Sequence, residues 1–225
     1  MQVVPTLPFL KYRGTPGITS TLCRLCHGEV ESIKHLLSHC ARFAPTLYIR
    51  RHNRILKYIM FKFLKKFNMV EKCYPWFSND TIKPSYENEE LLVLWDIPEY
   101  SGRDNEAEDD LLRPDGKIIF KKQKLIYLVE MSVPWIENRE VKLAEKIGKY
   151  EHIVRSLKVE YPDFQVDQVT LIIDCLGGFS KSLNVNLQKL TFSIPECRHT
   201  VLGMQKIVVS EARSLINYFK ISTQI

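Results

Sequence analysis

The chain lacks any run of the roughly 20 uninterrupted apolar residues that a membrane-spanning helix requires. Its densest apolar stretch, 55–67, is broken by four lysines. It also lacks the charged start and apolar core of a secretory signal, opening instead on Met-Gln-Val-Val-Pro. With both absent, the chain is expected to be intracellular, nuclear or cytoplasmic, with no membrane partner. In such a compartment the six cysteines are read as reduced thiols or metal ligands rather than disulfides. No internal repeat is present. Residues 1–22, rich in Pro, Gly and Thr, show no apolar periodicity and are expected to form an extended lead-in, as if the chain began at a cut edge.

What is present is a chain of 225 residues with 45% hydrophobic and 26% charged residues, enough to bury a core and too apolar for wholesale disorder. The net charge of +6 is unevenly spread. Between positions 42 and 72 nine Lys or Arg stand against one acid, which reads as a nucleic-acid-facing surface. From 99 to 110 six acids accompany one Arg, which reads as a solvated loop.

The pair Cys23-Arg-Leu-Cys26 is followed by His35 and Cys40. Two thiolates on a tight turn and two further ligands five residues apart on a short helix, expected over 32–41, form the complete ligand set of a closed tetrahedral zinc site. His39 is the weaker third ligand, because its neighbour Cys40 would leave it on another side of the helix. Four suitable residues in a segment too small for its own core favour structural zinc over ordinary buried cysteines. Cys73, Cys175 and Cys197 have no partner spacing.

From 45 to 67 the pattern is helical, with Leu47, Ile55, Ile59 and Phe63 on one face. Arg50, Arg51, Arg54, Lys57, Lys65 and Lys66 lie elsewhere, and Arg50, Arg51, His52, Arg54 and Lys57 are the candidate nucleic-acid contacts. An irregular stretch over 74–86 is the expected boundary between a zinc module with its basic helix (23–72) and a second domain (85–225). That domain should contain strands over 91–95, 111–120 and 124–133, a helix over 137–160, a strand over 166–174 and a closing helix over 201–219. The expected class is α/β, a mixed sheet flanked by helices.

Two acids stand out. Asp115 follows Arg113-Pro114, and Glu130 sits in the apolar run Leu125-Ile-Tyr-Leu-Val129. An acid embedded in such a strand is costly unless paired or metal-bound. On neighbouring strands, Asp115 and Glu130 could share Mg²⁺ or Mn²⁺, which activates water and offsets charge at a phosphate. A catalytic lysine is the third requirement. Two residues past Glu130, on the same strand face, stands Ser132, so the lysine must come from the helix. There Lys146 borders the apolar stripe of Leu143, Ile147, Tyr150, Val154 and Leu157, while Lys149 falls further toward solvent.

Taken in order, several motifs resemble the C-terminal region of non-LTR retrotransposon polyproteins that carry a restriction-like endonuclease. They are the Cys-Cys-His-Cys module, Arg51-His52-Asn53, Trp95-Asp96, Arg113-Pro114-Asp115, Glu130-Met-Ser-Val-Pro134, Glu145-Lys146 with Lys149-Tyr150, and Leu176-Gly177-Gly178. The resemblance covers about 23–219. It implies a PD-(D/E)xK nuclease fold that nicks DNA, with Asp115 and Glu130 as acids and the lysine moved to the helix at Lys146 and Lys149. It also implies that the zinc module and the Arg-His pair handle nucleic acid, DNA and possibly RNA. The second acid, usually Asp in close relatives, is Glu130 here. The reverse transcriptase that precedes this region in the family has no room before Cys23. A terminal fragment, an excised domain or a product of a degraded element is therefore expected, with a catalytically inactive nucleic-acid-binding remnant as the competing function.

Overall fold

Alternation builds the sheet. On strand β4 (Leu125–Ser132), Tyr127, Val129 and Met131 face one side, and Ile126, Leu128 and Glu130 face the other. The computed structural model describes residues 4–96 and 112–223, so the acidic stretch 99–110 lies outside the described residues. Strands β1 (Ser85–Glu87), β2 (Leu91–Trp95), β3 (Gly116–Phe120), β4 and β5 (Gln165–Ile172) stand side by side in chain order. The first four are antiparallel neighbours, and β5 runs parallel to β4. A parallel pair needs a crossover, and helix α4 (Arg139–Glu160), entered through the 3₁₀ turn Ile136–Asn138, supplies it.

Helices cover both faces of this mixed sheet, as the expected α/β class requires. Ile119, Ile126 and Leu128 pack under Tyr150, Ile153 and Leu157 of α4. The opposite face, including Val93, Ile118, Phe120, Val129 and Leu171, packs under α3 (Ile49–Lys66), α5 (Lys181–Lys189) and α6 (Ile194–Ser222). On α4, Ile147 is exposed and Ile153 buried, so the stripe is rotated slightly from the expected one. Helix α3 buries Leu56, Met60, Phe61 and Leu64 beside Ile55, Ile59 and Phe63, because it is enclosed by the sheet and α6 rather than lying on a surface. At its crossing with α6, Gly203 admits the Tyr58 ring where any Cβ would collide.

Several boundaries differ from expectation. The lead-in contains the helix α1 (Leu7–Tyr12), tied down by the buried Glu31 carboxylate, which accepts from the Leu7 N–H at 2.8 Å. Glu31 also pairs with Arg24, whose guanidinium donates to the Pro5 carbonyl at 2.9 Å. The 45–67 helix begins as a π-helical turn, Ala44–Tyr48. Helix α5 is an addition, and α6 starts before position 201. A capping box, Ser193 with Glu196, and a proline in the first turn fix that earlier start.

Cys23, Leu36, Leu37, Cys40 and Phe43 share a core with Cys175, Leu215 and Phe219. Among the described residues no helix is long and apolar enough to cross a membrane.

Candidate active site and metal centre

The N-terminal cluster is held by local backbone geometry. Leu22 and Val30 bridge as a two-strand knuckle, inside which the Cys23 N–H donates to the Glu29 carbonyl at 2.7 Å and His27 adopts φ +55°. His35 lies on α2 (Ile33–Ser38), whose N-cap Ser32 accepts from the His35 N–H at 3.0 Å. Cys40 is beyond that helix rather than on it, because the helix closes at His39. Its N–H is bound instead by the His35 carbonyl at 2.9 Å and the Tyr48 hydroxyl at 3.0 Å. His39 is exposed and outside the cluster.

The ligand atoms of Cys23, Cys26, His35 and Cys40 all lie within 4.8 Å of one another. Cys26 Sγ is 3.2 Å from His35 Nε2, and His35 Nδ1 is 3.1 Å from the Glu29 carboxylate. Three sulfurs and one imidazole nitrogen at this spacing can hold a metal ion such as zinc. Burial opposes ionisation of Cys26, but the Gly28 N–H and the neighbouring thiols and imidazole outweigh it and bring the thiol down to about 7. Burial pushes Cys40 up to about 12, so a bound cation is what would ionise it.

The second cluster forms at one end of the sheet. The β3–β4 ladder ends at Gly116 opposite Val129, and its next position sets Asp115 beside Glu130. The Asp115 N–H approaches Glu130 Oε2 at 3.4 Å, while Asp115 Oδ2 accepts from the Met131 N–H at 2.7 Å. Helix α4 brings the Lys146 ammonium onto Glu130 Oε1. Helix α3 brings His52, whose Nε2 lies 3.1 Å from Asp115 Oδ2 and 3.2 Å from the Met131 carbonyl. Two acceptors around one nitrogen assign the proton to Nε2.

Burial pushes the Glu130 carboxyl up, the adjacent Asp115 charge adds to this, and Lys146 offsets part of it. Burial opposes protonation of His52, but its hydrogen bond to Asp115 prevails and raises it to about 9. The cluster is thus a crowded carboxylate pair with one cation on each flank.

Lys149 does not reach these acids. It is exposed, and its ammonium lies 3.1 Å from the Tyr150 hydroxyl and 4.8 Å from that ring's centre. Tyr150 in turn donates to the Arg113 carbonyl at 3.0 Å. Ser132 ends β4, half-buried.

Of the basic residues of α3, Arg51 is buried, Arg50, Arg54 and Lys57 are half-buried in pairs with neighbouring elements, and Lys65 and Lys66 are exposed. Arg51 is 3% exposed and donates to the Leu37 carbonyl at 2.9 Å and the Val133 carbonyl at 3.3 Å, tying the cysteine-rich segment to the end of β4. Arg50 and Arg54 both pair with Glu211, buried on α6. Lys57 donates to the Ser78 and Asp80 carbonyls. The Leu176-Gly177-Gly178 turn is organised by buried Asp174, which accepts from the Leu176 and Gly178 N–H groups and faces Arg139 at 3.5 Å.

Sequence reasoning assigned His52 to nucleic acid and did not connect it with Asp115. It passed over Glu29 and Glu211 entirely. Glu29 was open to discovery as the acid inside the Cys-His spacing, whereas nothing local marks Glu211. No protein-family model matches the chain, and a search of curated proteins finds no match.

Proposed function

We propose that the chain is a divalent-metal-dependent endonuclease that nicks DNA. On this reading it has a restriction-endonuclease-like core and a zinc-stabilised N-terminal segment, both of the kind found in non-LTR retrotransposon polyproteins. The observation supporting it is the convergence of Asp115, Glu130, Lys146 and His52 from β3, β4, α4 and α3 at one sheet end. Two adjacent carboxylates with only oxygen ligands suit Mg²⁺ or Mn²⁺. One oxygen of Glu130 is taken by Lys146, and one of Asp115 by Met131 and His52. The other oxygen of each acid would hold the ion.

Held by Asp115 and Glu130, such an ion would lower the pKa of a water and offset charge on the phosphate. The chain's own groups do the rest. The Met131 N–H and His52 lock the Asp115 rotamer, Lys146 sets a positive charge beside the reacting phosphate, and Glu130 holds Lys146 in place. Zinc in the Cys23, Cys26, His35 and Cys40 cluster carries no chemistry and stabilises the fold. The burial of Arg51 and the pairing of Arg50, Arg54 and Lys57 with groups of the chain itself weigh against a protein that only binds nucleic acid through this helix.

The test is nicking of supercoiled plasmid by zinc-loaded protein with Mg²⁺ or Mn²⁺. Wild type converts plasmid to open circle, and Asp115→Ala, folded by circular dichroism, does not. Equal activity in the two proteins, or none in wild type across DNA and RNA substrates, sinks the proposal.

A further inference from the structure

A cleft of about 810 Å³ opens beside the acids, between α3, residues 78–84 and the end of β2; Asn53, Arg54, Lys57, Asn79, Trp95 and Asp115 are among its walls. The register fixes its position. Trp95 pairs with Gly116, the residue after Asp115, and the Asp96 N–H donates to the Asp115 carbonyl at 3.4 Å. The cleft therefore adjoins the acid site at Asp115.

The charge balance of the walls decides what that is. A channel that follows a phosphate backbone presents cations to it. Here the cations already have acceptors. Arg50 and Arg54 share Glu211, Arg54 also lies 5.3 Å over the Trp76 ring, and the Lys57 ammonium is held by Ser78 and Asp80 carbonyls at 2.5 and 3.0 Å. Against them stand the carboxylates of Asp80 and Asp96, that of Asp115 already paired with His52, the Asn79 amide, the Asn53 amide whose oxygen lies 2.9 Å from His52 Nδ1, and the Trp95 indole. An aromatic surface among amides and carboxylates, without surplus positive charge, fits a planar neutral group whose edge carries N–H donors and carbonyl acceptors. A nucleobase is such a group. Its edge is free for these side chains only when the base is out of the duplex stack. The volume is ample for one base, lying within the range of small-molecule sites.

We propose that this cleft receives an unpaired nucleobase of the cut strand, adjoining the scissile phosphate, so that the preferred substrate is DNA with an unpaired or extruded nucleotide at that position. Trp95 supplies the stacking surface, and Asn53, Asn79, Asp80 and Asp96 meet the base edge. The inference rests on the endonuclease reading and narrows its substrate.

The test uses the full zinc-loaded chain and a set of duplexes, one fully paired and the others carrying a single unpaired 2-aminopurine at successive positions. Cutting is measured with Mg²⁺, and 2-aminopurine fluorescence is measured with Ca²⁺. At one position next to the nick, cutting should exceed that of the paired duplex about tenfold, the size of one base stacking on an aromatic ring. Fluorescence there should be quenched on binding. Trp95→Ala should bring the ratio near one and lift the quench, and Trp95→Phe should keep both; Asn79→Ala should lower the ratio should Trp95→Ala not fold. Equal cutting of all duplexes, or a preference unchanged in Trp95→Ala and Asn79→Ala, overturns the proposal. A chain that cuts nothing refutes the endonuclease reading, and the Ca²⁺ fluorescence still decides the cleft: no quench at any position rules the base site out.

Discussion

The two ligand clusters are built on opposite principles. The cysteine-rich one draws all its ligands from positions 23 to 40, on one knuckle, one short helix and the residue just past that helix's cap. The carboxylate one draws on residues from 52 to 146 and exists only when α3, β3, β4 and α4 are packed together. A local cluster needs a metal more than it needs a fold, because loop closure over so few residues is entropically cheap. A distributed cluster needs the fold first, and any ion it took would come afterwards. The two are nonetheless joined. Tyr48 binds the backbone of both His35 and Cys40, and Arg51, 5.1 Å over the Tyr48 ring, reaches the Val133 carbonyl three residues past Glu130.

That junction sets the largest expected effect. Metal binding by such a ligand set is worth about 10–16 kcal/mol at neutral pH, comparable to the whole stability of a domain. Because Cys40, Leu36 and Leu37 share a core with Leu215 and Phe219, chelation or Cys40→Ser should lower the melting temperature of the entire chain in one cooperative transition. Calorimetry checks this. Two separate transitions, with the sheet melting unchanged, would show the clusters to be independent and break the comparison as drawn.

Next comes the ion pair at the distributed cluster. Glu130 is nearly fully buried, and Lys146 is its side-chain cation. Lys146→Met leaves that carboxylate without its cation and should cost about 2–3 kcal/mol in urea unfolding, somewhat less than a fully enclosed pair because Lys146 is partly exposed. Glu130→Gln relieves the crowding with Asp115, so the double variant should recover much of the loss while remaining inactive on plasmid. A double-mutant cycle with no coupling would mean that the pair holds nothing together.

Glu29→Gln sharpens the contrast from the local side. Its carboxylate meets His35 Nδ1 at 3.1 Å and so presents Nε2 to the sulfurs. Loss of that orienting charge should weaken zinc binding about 10–100-fold, measured by competition with a chromophoric chelator. Because binding is linked to folding, the zinc-saturated protein should lose the matching stability in urea, about 1.4–2.7 kcal/mol. Unchanged affinity would remove Glu29 from the metal centre's support.

The same contrast explains what could be seen from sequence. Cys23, Cys26, His35 and Cys40 were legible because their spacing is the site. The sheet was legible because β2, β3 and β4 carry apolar runs, and the acids because Glu130 interrupts one. The burial of Arg51 was not legible, since a guanidinium reads as surface unless the carbonyls that enclose it are known, and those belong to Leu37 and Val133. Helix α5 offered only Leu183 and Leu187 as buried apolar residues in nine positions, too weak a period to stand out. Strand β1 is three residues long and half exposed, and it is recognisable only by its pairing with β2.

Glu196 carries the contrast between local and distant within one side chain, and the smallest expected effect. Its carboxylate closes the Ser193 capping box, accepting from the Ser193 N–H at 2.7 Å, and it also pairs with Lys66 of α3 at 2.8 Å. The Lys66 hydrogen bond first, then the two Ser193 bonds, hold it at about 2, below its ordinary 4.5. A lowered carboxyl stabilises the fold fully above about 4.5 and loses that contribution as pH falls toward about 2. Since the group is 41% exposed, water screens it, and the whole contribution should be about 1 kcal/mol or less. Lys66→Met should remove the distant part and respond to salt, whereas Ser193→Ala should remove the hydroxyl's share of the local part, leave the Ser193 N–H bond in place, and be salt-insensitive. Stability curves from pH 5 to pH 2.5 at low and high salt separate them. If Lys66→Met flattens the acid limb more than Ser193→Ala does, the long-range contact dominates even at a helix end where the sequence signal was entirely local.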